Sequence, residues 1–317
     1  MKFLITGVAG FIGSHLAERL IREGHQVCGV DKFLDNYPRR LKEANLSGLI
    51  HHSQFQLVEG DLVRLDLEEL LREVSCVFHL AAQPGVRPSW GKEFVHYAHN
   101  NILATQFLLE ACKGKALKKF VYASSSSVYG DTQDLPMREE GMTRPVSPYG
   151  VSKLAAEDLC YLYWANFGIP TVMLRYFTVY GPRQRPDMFF HIFMRAHLRH
   201  EEIPLYDDGG QSRDFTFCSD IVEGTLAAAL YPGAGELFNL GGASRTTLND
   251  AIQMIEAISG QKARLKRLER QKGDVRHTAA EITRAQEKLG FKPRVTLVEG
   301  LEQEWAWIKK IYGVEHG

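Results

Sequence analysis

The segment KFLITGVAGFIG, at residues 2–13, decides the fold of this chain. Its first half is a short apolar run that predicts a strand, and the apolar periodicity from Ile12 onward predicts a helix. The glycine-rich turn between them lets the backbone approach phosphate groups, while the helix N-terminus attracts negative charge. The segment therefore predicts a pyrophosphate site of the kind that binds a dinucleotide. The residues expected to contact it are Gly7, Gly10, Phe11, Ile12 and Gly13.

An acidic residue closes the next predicted strand, which runs from Gln26 to Asp31. Asp31 follows Gly13 by eighteen residues, the spacing at which dinucleotide-binding folds place an acid beside the adenosine ribose. A carboxylate there accepts hydrogen bonds from the ribose hydroxyls and repels a 2′-phosphate. The sequence therefore predicts NAD as the cofactor in preference to NADP.

A tyrosine and a lysine stand four residues apart, at Tyr149 and Lys153, in a segment with a helical pattern. Residues four apart share a helix face, so the ammonium is expected near the phenol, where it would lower the phenol pKa. Such a phenol is a usable general base. The spacing alone also fits a tyrosine at a helix start followed by a surface lysine. The upstream dinucleotide motif favours the functional interpretation, which is hydride transfer at a hydroxyl or carbonyl carbon.

Composition limits the class of protein. The chain has 317 residues, 44% of them hydrophobic, so it can bury a large core, and its 38 basic residues balance 38 acidic ones. This balance argues against nucleic acid or a membrane surface as a partner. Five scattered cysteines, without a CxxC or a His/Cys cluster, predict buried thiols in a reducing compartment and no metal site. No apolar run approaches the ~20 residues of a membrane span, and a cytoplasmic location is expected.

Apolar runs alternate with amphipathic stretches through the first half of the chain. The predicted strands beyond Asp31 are residues 55–62, 77–82, 120–125 and 171–176. The predicted helices are residues 12–23, 66–72, 94–113 and 149–167. This alternation predicts an α/β fold with a doubly wound parallel sheet, the Rossmann type, whose ligands bind beyond the carboxyl ends of the strands.

The pattern changes after about residue 177, where prolines interrupt the chain and arginines appear in predicted loops. We expect a smaller α/β substrate-binding lobe there. The predicted NAD-binding Rossmann domain comprises residues 1–176 and a later segment, near residues 216–240, at which the chain returns to this domain. The predicted sugar-nucleotide lobe comprises residues 177–215 and 241–317.

Several short motifs together resemble those of the extended short-chain dehydrogenase/reductases along the whole chain. They are the glycine turn, GDL at 60–62, HLAA at 79–82, SS at 124–125, Tyr149 with Lys153, and RYF at 175–177. Within that family the chain is most similar to the UDP-glucuronate 4-epimerases. The segments that carry this finer similarity are residues 82–90, 175–188 and 211–216.

The resemblance implies roles for individual residues. Ser125 would hydrogen-bond the reacting oxygen beside Tyr149, and Lys153 would also bind the nicotinamide ribose. Further residues expected at the cofactor are Asp61 and Leu62 at the adenine, with Leu80, Ala81, Ala82, Tyr149 and Tyr176. His79, although part of a motif, is interpreted as a hydrogen-bonded histidine within a buried strand.

Arginines and short hydroxyl side chains are the candidate substrate ligands. Arg213 and Arg276 resemble the family's clamps on the sugar-nucleotide diphosphate, with Arg87 and Arg185 as further candidates; a surface ion pair is the alternative for each. The hydroxyls of Ser126, Ser127 and Thr178 are expected to hold the sugar carboxylate. Alternatively, they line the nicotinamide pocket without meeting the substrate.

The residues after Ser125 narrow the expected reaction. The sugar-nucleotide 4,6-dehydratases that the chain resembles carry Asp-Glu where this chain has Ser126 and Ser127. The expected activity is therefore NAD-dependent C4 epimerisation of UDP-glucuronate to UDP-galacturonate. Epimerisation of UDP-glucose and UDP-galactose is the alternative, although Thr178 replaces the asparagine common in those relatives. A non-catalytic NAD-sensing protein is a third possibility, but binding alone does not require Ser125, Tyr149 and Lys153.

The resemblance also implies a homodimer. Family members pair through a four-helix bundle made from the helices that correspond to residues 94–113 and 149–167. The apolar stripes of these helices alternatively face the sheet.

Overall fold

The computed structural model describes residues 1–242, 245–269 and 272–313. The strands, in chain order, are β1 (Lys2–Thr6), β2 (Gln26–Asp31), β3 (Phe55–Glu59), β4 (Cys76–His79), β5 (Lys119–Ser125), β6 (Thr171–Tyr176), β7 (Thr178–Tyr180), β8 (Ile203–Tyr206), β9 (Ser212–Phe217), β10 (Glu236–Leu240), β11 (Arg245–Thr247) and β12 (Leu265–Leu268).

The α-helices are α1 (Phe11–Arg22), α2 (Arg39–Leu46), α3 (Leu67–Leu70), α4 (Phe94–Tyr97), α5 (Ala104–Ala111), α6 (Pro148–Phe167), α7 (Phe189–Leu198), α8 (Cys218–Leu230), α9 (Leu248–Ser259), α10 (Thr283–Leu289) and α11 (Leu297–Tyr312). A π-helical turn, Ala98–Leu103, joins α4 to α5, and short 3₁₀ turns occur at Arg87–Ser89, Gly91–Glu93 and Ser126–Val128. No helix within the described ranges combines the length and apolar character needed to cross a membrane.

Seven strands form one parallel sheet in the order β10-β6-β5-β4-β1-β2-β3. The chain adds strands outward from β1 in one direction and from β4 in the other, so the topological switch point lies between β1 and β4. Ligands of doubly wound sheets bind at the carboxyl ends of the strands at that point. The predicted fold class is confirmed.

The sheet is buried on both faces. In β1, Phe3 and Ile5 belong to a core cluster that includes Leu16 of α1, whereas Leu4 belongs to a second cluster that includes Leu108 of α5. Each of these side chains is at most 3% exposed. Burial on both faces explains why the central strands are almost continuously apolar in sequence.

Two smaller sheets lie outside this central layer. One has the order β11-β9-β7, and the other pairs β8 with β12. Thr216 and Phe217 begin the segment that was predicted to return to the Rossmann domain, but they lie in β9 of a smaller sheet. The strand β10 pairs in parallel with β6 of the large sheet. The exact domain boundaries stay a prediction.

Two strands end earlier than predicted. The strand β3 ends at Glu59 and not at Leu62, because Asp61 starts a turn in which its carboxylate accepts from the Val63 N–H at 3.2 Å. The strand β4 ends at His79 and not at Ala82. There the Ala81 N–H turns back to the Thr6 hydroxyl, 3.2 Å away, instead of continuing the ladder.

The predicted helix at 94–113 is interrupted by the π-helical turn and ends at Ala111. Within this turn, the amide of Asn101 accepts from the Gln83 N–H at 2.6 Å and donates to the Gln83 carbonyl at 3.1 Å. It also donates to the Ser152 hydroxyl at 2.8 Å. The turn thus ties the loop after β4 to α6, and π-helical turns are frequent at functional sites.

Candidate active site

A cavity of about 210 Å³ lies over the carboxyl ends of β1, β2 and β4. Its walls bring together every residue predicted to contact the cofactor. They are Gly7, Gly10, Phe11, Ile12, Gly13, Asp31, Asp61, Leu62, Leu80, Ala81, Ala82, Tyr149, Lys153 and Tyr176. This position is the switch point of the sheet, where a dinucleotide is expected.

The glycine turn leaves no space for side chains. Gly7 has a φ of +73°, and a Cβ there would lie 2.8 Å from the Ala81 nitrogen. A Cβ on Gly13 would lie 2.3 Å from the Gly7 carbonyl oxygen. The bare backbone therefore forms the cavity floor, with the N-terminus of α1 beside it, as a diphosphate requires.

Two carboxylates flank the far end of this cavity. Asp31 accepts from the backbone N–H groups of Ala9 and Phe33 at 3.0 and 2.8 Å, which fixes its orientation, although burial raises its pKa. Burial also raises the pKa of Asp61, but hydrogen bonds from Lys32 and His99 outweigh it and bring this pKa to about 2. NAD fits this cavity: its backbone floor suits the diphosphate, and its lining includes the oriented carboxylate of Asp31, which can accept from a hydroxyl group.

A second and larger cavity, of about 580 Å³, adjoins the first. It extends from the end of β5 to the smaller sheets. The residues that line both cavities are Phe11, Ile12, Ser124, Tyr149, Tyr176 and Arg185. Lys153 lines the cofactor cavity, and Ser125 lines the second cavity. The phenol of Tyr149 therefore stands at the junction, between its two predicted partners.

Local sequence explains how Tyr149 reaches this junction. The helix α6 begins with Ser147 as its N-cap, whose hydroxyl accepts from the Gly150 N–H at 3.1 Å, and Pro148 occupies the first turn. Tyr149 is thereby fixed in the first turn, beside the end of β5. A hydrogen bond joins its phenol to the Ser125 hydroxyl, which also accepts from the Ser127 N–H at 3.2 Å.

The prediction that Lys153 lowers the phenol pKa is wrong. Burial raises the pKa of Tyr149, and the hydrogen bond with Ser125 and the charge of Arg185 oppose that rise. The Lys153 ammonium instead donates to the Ala123 carbonyl at 2.7 Å and lies 4.9 Å from the centre of the Tyr122 ring. Burial also lowers the pKa of Lys153 to about 8, so the ammonium form still dominates at neutral pH.

His79 is held as predicted. Its ring nitrogens contact the hydroxyls of Thr6 and Thr105 at 2.7 and 2.9 Å, within the core. Burial lowers its pKa to about 3. The ring is therefore neutral and structural, and the prediction is confirmed.

The second cavity brings together most of the predicted substrate ligands. Those that line it are Arg87, Ser126, Ser127, Thr178, Arg185 and Arg213. The guanidinium of Arg213 is held by backbone carbonyls, including that of Val275 at 2.8 Å. Arg276 is not among the residues that line the cavity, and its guanidinium pairs with Asp207 and Asp208 at 3.3 and 3.1 Å. Its role as a second phosphate ligand stays a prediction.

Sequence reasoning missed residues on both sides of the site. On the cofactor side, Lys32 forms an ion pair with Asp61 at 2.7 Å and so neutralises the expected adenine ligand. On the substrate side, the Arg87 guanidinium stacks over the Tyr206 ring, with its central carbon 4.0 Å from the ring centroid. The same guanidinium forms an ion pair with Asp274 at 2.7 Å. Lys32 could have been predicted at the cofactor site, because it directly follows Asp31 in the sequence. Nothing in the local sequence indicated that Arg87 and Asp274 meet.

Comparisons with known proteins agree with this geometry. The family profile described as GDP-mannose 4,6 dehydratase matches residues 4–304. The crystal structure of UDP-glucuronic acid 4-epimerase from Bacillus cereus, in complex with UDP-glucuronic acid and NAD, superposes with a TM-score of 0.96 at 46% identity, over 98% of this chain and 100% of that one.

Two curated relatives are similar over almost their whole length. The uncharacterized UDP-glucose epimerase YtcB of Bacillus subtilis is 46% identical over 98% of this chain and 99% of its own. The UDP-glucuronate 4-epimerase of Thermodesulfobacterium geofontis is 39% identical over 97% of this chain and 96% of its own. The chain therefore belongs to the NAD-dependent epimerase/dehydratase family of extended short-chain dehydrogenase/reductases.

Proposed function

We propose that this protein epimerises C4 of UDP-glucuronate, giving UDP-galacturonate, with NAD held in the smaller cavity. The observation that carries the proposal is the position of Tyr149 at the junction of the two cavities, bonded to Ser125 on the substrate side and one helical turn before Lys153 on the cofactor side. The relatives that are named as UDP-glucuronate epimerases support the choice of sugar.

NAD bound between the glycine turn and Lys153 would supply reversible hydride transfer at C4. The protein handles the proton. Tyr149 takes the proton of the sugar 4-hydroxyl and later returns it. Ser125 hydrogen-bonds the same 4-oxygen and orients it toward the phenol. The charge of Arg185 favours the ionised form of the phenol while it acts as a base, and the Lys153 ammonium would bind the nicotinamide ribose.

The larger cavity allows the sugar to turn. Epimerisation requires the 4-keto sugar to present its opposite face to the hydride, so the space around it must exceed the sugar itself. The cavity of about 580 Å³ must hold the nucleotide as well as the sugar, and we propose that the sugar turns within it. Ser126 and Ser127 lack the carboxylates that elimination across C5 and C6 needs, so the residues present serve oxidation and reduction alone.

The same hydroxyls suit a charged sugar. Oxidation of C4 makes the glucuronate a β-keto acid, which loses CO₂ when the breaking bond is perpendicular to the carbonyl plane. The carboxylate must therefore be held out of that geometry. Ser126, Ser127 and Thr178 line the cavity near Tyr149 and offer donors short enough to anchor carboxylate oxygens without filling the space needed for rotation. We propose that these three residues do so.

A second candidate is epimerisation of UDP-glucose, which the name of the Bacillus subtilis relative favours. Incubation of the purified protein with UDP-glucuronate, UDP-glucose and UDP-N-acetylglucosamine, followed by chromatographic separation of the epimers, distinguishes the two. We expect the highest kcat/KM for UDP-glucuronate. Faster turnover of UDP-glucose would replace the proposed function with the second candidate, and no turnover of any sugar would refute both.

We also propose that the protein forms a homodimer in the cytoplasm, where buried thiols such as those of its five cysteines stay reduced. The helical segment that runs from α4 through the π-helical turn to α5 packs against α6, and both expose apolar side chains, each between 40 and 62% exposed. These side chains are Val95, Leu103, Phe107, Val151 and Leu162. Because a second copy would cover them in a four-helix arrangement, light scattering of the purified protein should give twice the monomer mass; a monomer mass would contradict the proposal.

A further inference from the structure

A buried ion pair lies directly behind the proposed catalytic residues. Glu157 on α6 and Arg175 on β6 are 5% and 4% exposed. The Arg175 Nη2 lies 2.7 Å from the Glu157 Oε2, and its Nε donates to both carboxylate oxygens at 3.0 and 3.3 Å. A buried pair of this kind is costly to desolvate and weak evidence of stabilisation, so its presence beside the site calls for another explanation.

Glu157 also holds the end of β5. The Ser124 hydroxyl donates a hydrogen bond to the Glu157 Oε1. Ser124 stands between Ala123, whose carbonyl accepts from Lys153, and Ser125, which bonds Tyr149. One carboxylate therefore fixes the backbone segment that carries both contacts of the proton-transfer residues.

Glu157 follows Lys153 by one helical turn on the same buried face of α6. The titratable groups that face Lys153 are Tyr149, Glu157 and Cys160 on α6, Tyr122 on β5 and His79 on β4. Burial raises the pKa of Tyr122 and Cys160 well above their usual range and lowers that of His79 to about 3, so these three are neutral. Among these facing groups, Glu157 is the one that brings a negative charge.

We propose that Glu157 is a positioning residue, which keeps Lys153 charged by its own negative charge and keeps Ser125 in place through Ser124. Arg175 pairs with the carboxylate and holds it from the opposite side. The inference rests on the proposed function, since it assigns Lys153 and Ser125 to proton transfer. It predicts that loss of Glu157 changes the titration of Lys153, which a merely structural ion pair would not do.

The test uses variants of the full chain. Glu157→Gln removes the charge at nearly constant size, and the double variant Glu157→Gln with Arg175→Gln avoids leaving an unpaired buried guanidinium. Ser124→Ala removes the hydrogen bond but keeps the charge. Glu304→Gln is the matched control, because Glu304 is also fully buried but lies on α11, where it accepts from the Gly181 N–H.

The first measurement is the titration of Lys153 by NMR of proteins carrying ¹³C at the lysine ε-carbon, with the resonance assigned by its loss in Lys153→Ala. Thermal melting identifies the folded variants. In whichever glutamine variant of Glu157 folds, Lys153 should titrate at lower pH than in wild type. In Ser124→Ala and Glu304→Gln it should titrate as in wild type. An unchanged Lys153 titration in a folded Glu157 variant would overturn the inference.

The second measurement is the pH profile of turnover on whichever UDP-sugar the wild type converts. Glu157 variants should lose roughly ten- to a hundredfold in kcat, the range that small misplacements of catalytic groups produce, and their alkaline limb should move to lower pH. The NMR titration needs no sugar. It therefore decides the role of Glu157 even if the wild type converts none of the tested substrates, a result that would refute the proposed function alone.

Discussion

Replacement of Tyr149 by Phe removes the atom on which the proposed chemistry depends and little else. The ring of Tyr149 packs edge-on against Tyr97, with centroids 6.2 Å apart, and Phe keeps this contact. The lost phenol oxygen bonds Ser125 and stands at the junction of the cavities. A general acid or base contributes ~10²–10⁴-fold to rate, so we expect kcat to fall by that factor, with the fold and NAD content unchanged.

The assay is the initial rate of UDP-galacturonate formation at saturating UDP-glucuronate, with NAD content and melting temperature measured on the same preparations. Tyr163→Phe is the matched control. Tyr163 lies on the same helix, and its phenol bonds Glu110 at 2.6 Å, so this variant should retain near wild-type turnover. If Tyr149→Phe keeps at least half of wild-type activity, Tyr149 is not the proton acceptor.

Four further predictions concern the two cavities. Asp31→Ala should weaken NAD binding and reduce the preference over NADP in titrations with both cofactors; an unchanged preference would remove Asp31 from the ribose. Arg213→Ala should weaken inhibition by UDP about ten- to a hundredfold, the contribution of one charge-assisted contact to binding. Arg276→Ala should weaken this inhibition less, because Asp207 and Asp208 already bind the Arg276 guanidinium. Since burial lowers the pKa of Lys153 to about 8, the active ammonium is lost as pH rises through 8 and turnover should fall there; a constant rate up to pH 10 would contradict this role. Thr178→Ala should slow epimerisation of UDP-glucuronate and release a UDP-pentose detectable by mass spectrometry, with neutral UDP-hexoses less affected; equal losses on both sugars would contradict the carboxylate contact.

Local patterns in the sequence were enough to predict six of the seven strands of the large sheet, without β10, and the residues that line the cofactor cavity. A strand, a glycine turn and a helix are specified by neighbouring residues, so residues 2–13 predict both the structure and the ligand class. Asp31 is the last residue of β2, and Asp61 comes two residues after the end of β3, which places both at the carboxyl edge of the parallel sheet.

Contacts between distant segments were not predictable. Arg87 and Asp274 are 187 residues apart in sequence, and their ion pair depends on the tertiary fold. The pKa of Tyr149 was mispredicted for a related reason. Helical spacing predicts that Lys153 lies on the same helix face as Tyr149. It does not predict that the ammonium binds the Ala123 carbonyl, or that the phenol is buried.

Strand and helix ends depended on the same kind of contact. Ala81 lies outside the sheet, where its N–H donates to the Thr6 hydroxyl. The π-helical turn forms where the Asn101 side chain accepts from the Gln83 N–H. Neither partner is adjacent in sequence, so apolar patterning extended β4 too far and predicted an unbroken helix.

The central claim is tested most directly by following UDP-glucuronate in D₂O by NMR with the purified protein. We predict conversion to UDP-galacturonate with protium retained at C4 and C5, because the hydride removed from C4 returns to C4 without exchange and no C5 proton is abstracted. Deuterium at either carbon, or no formation of UDP-galacturonate, would contradict C4 epimerisation through a 4-keto sugar.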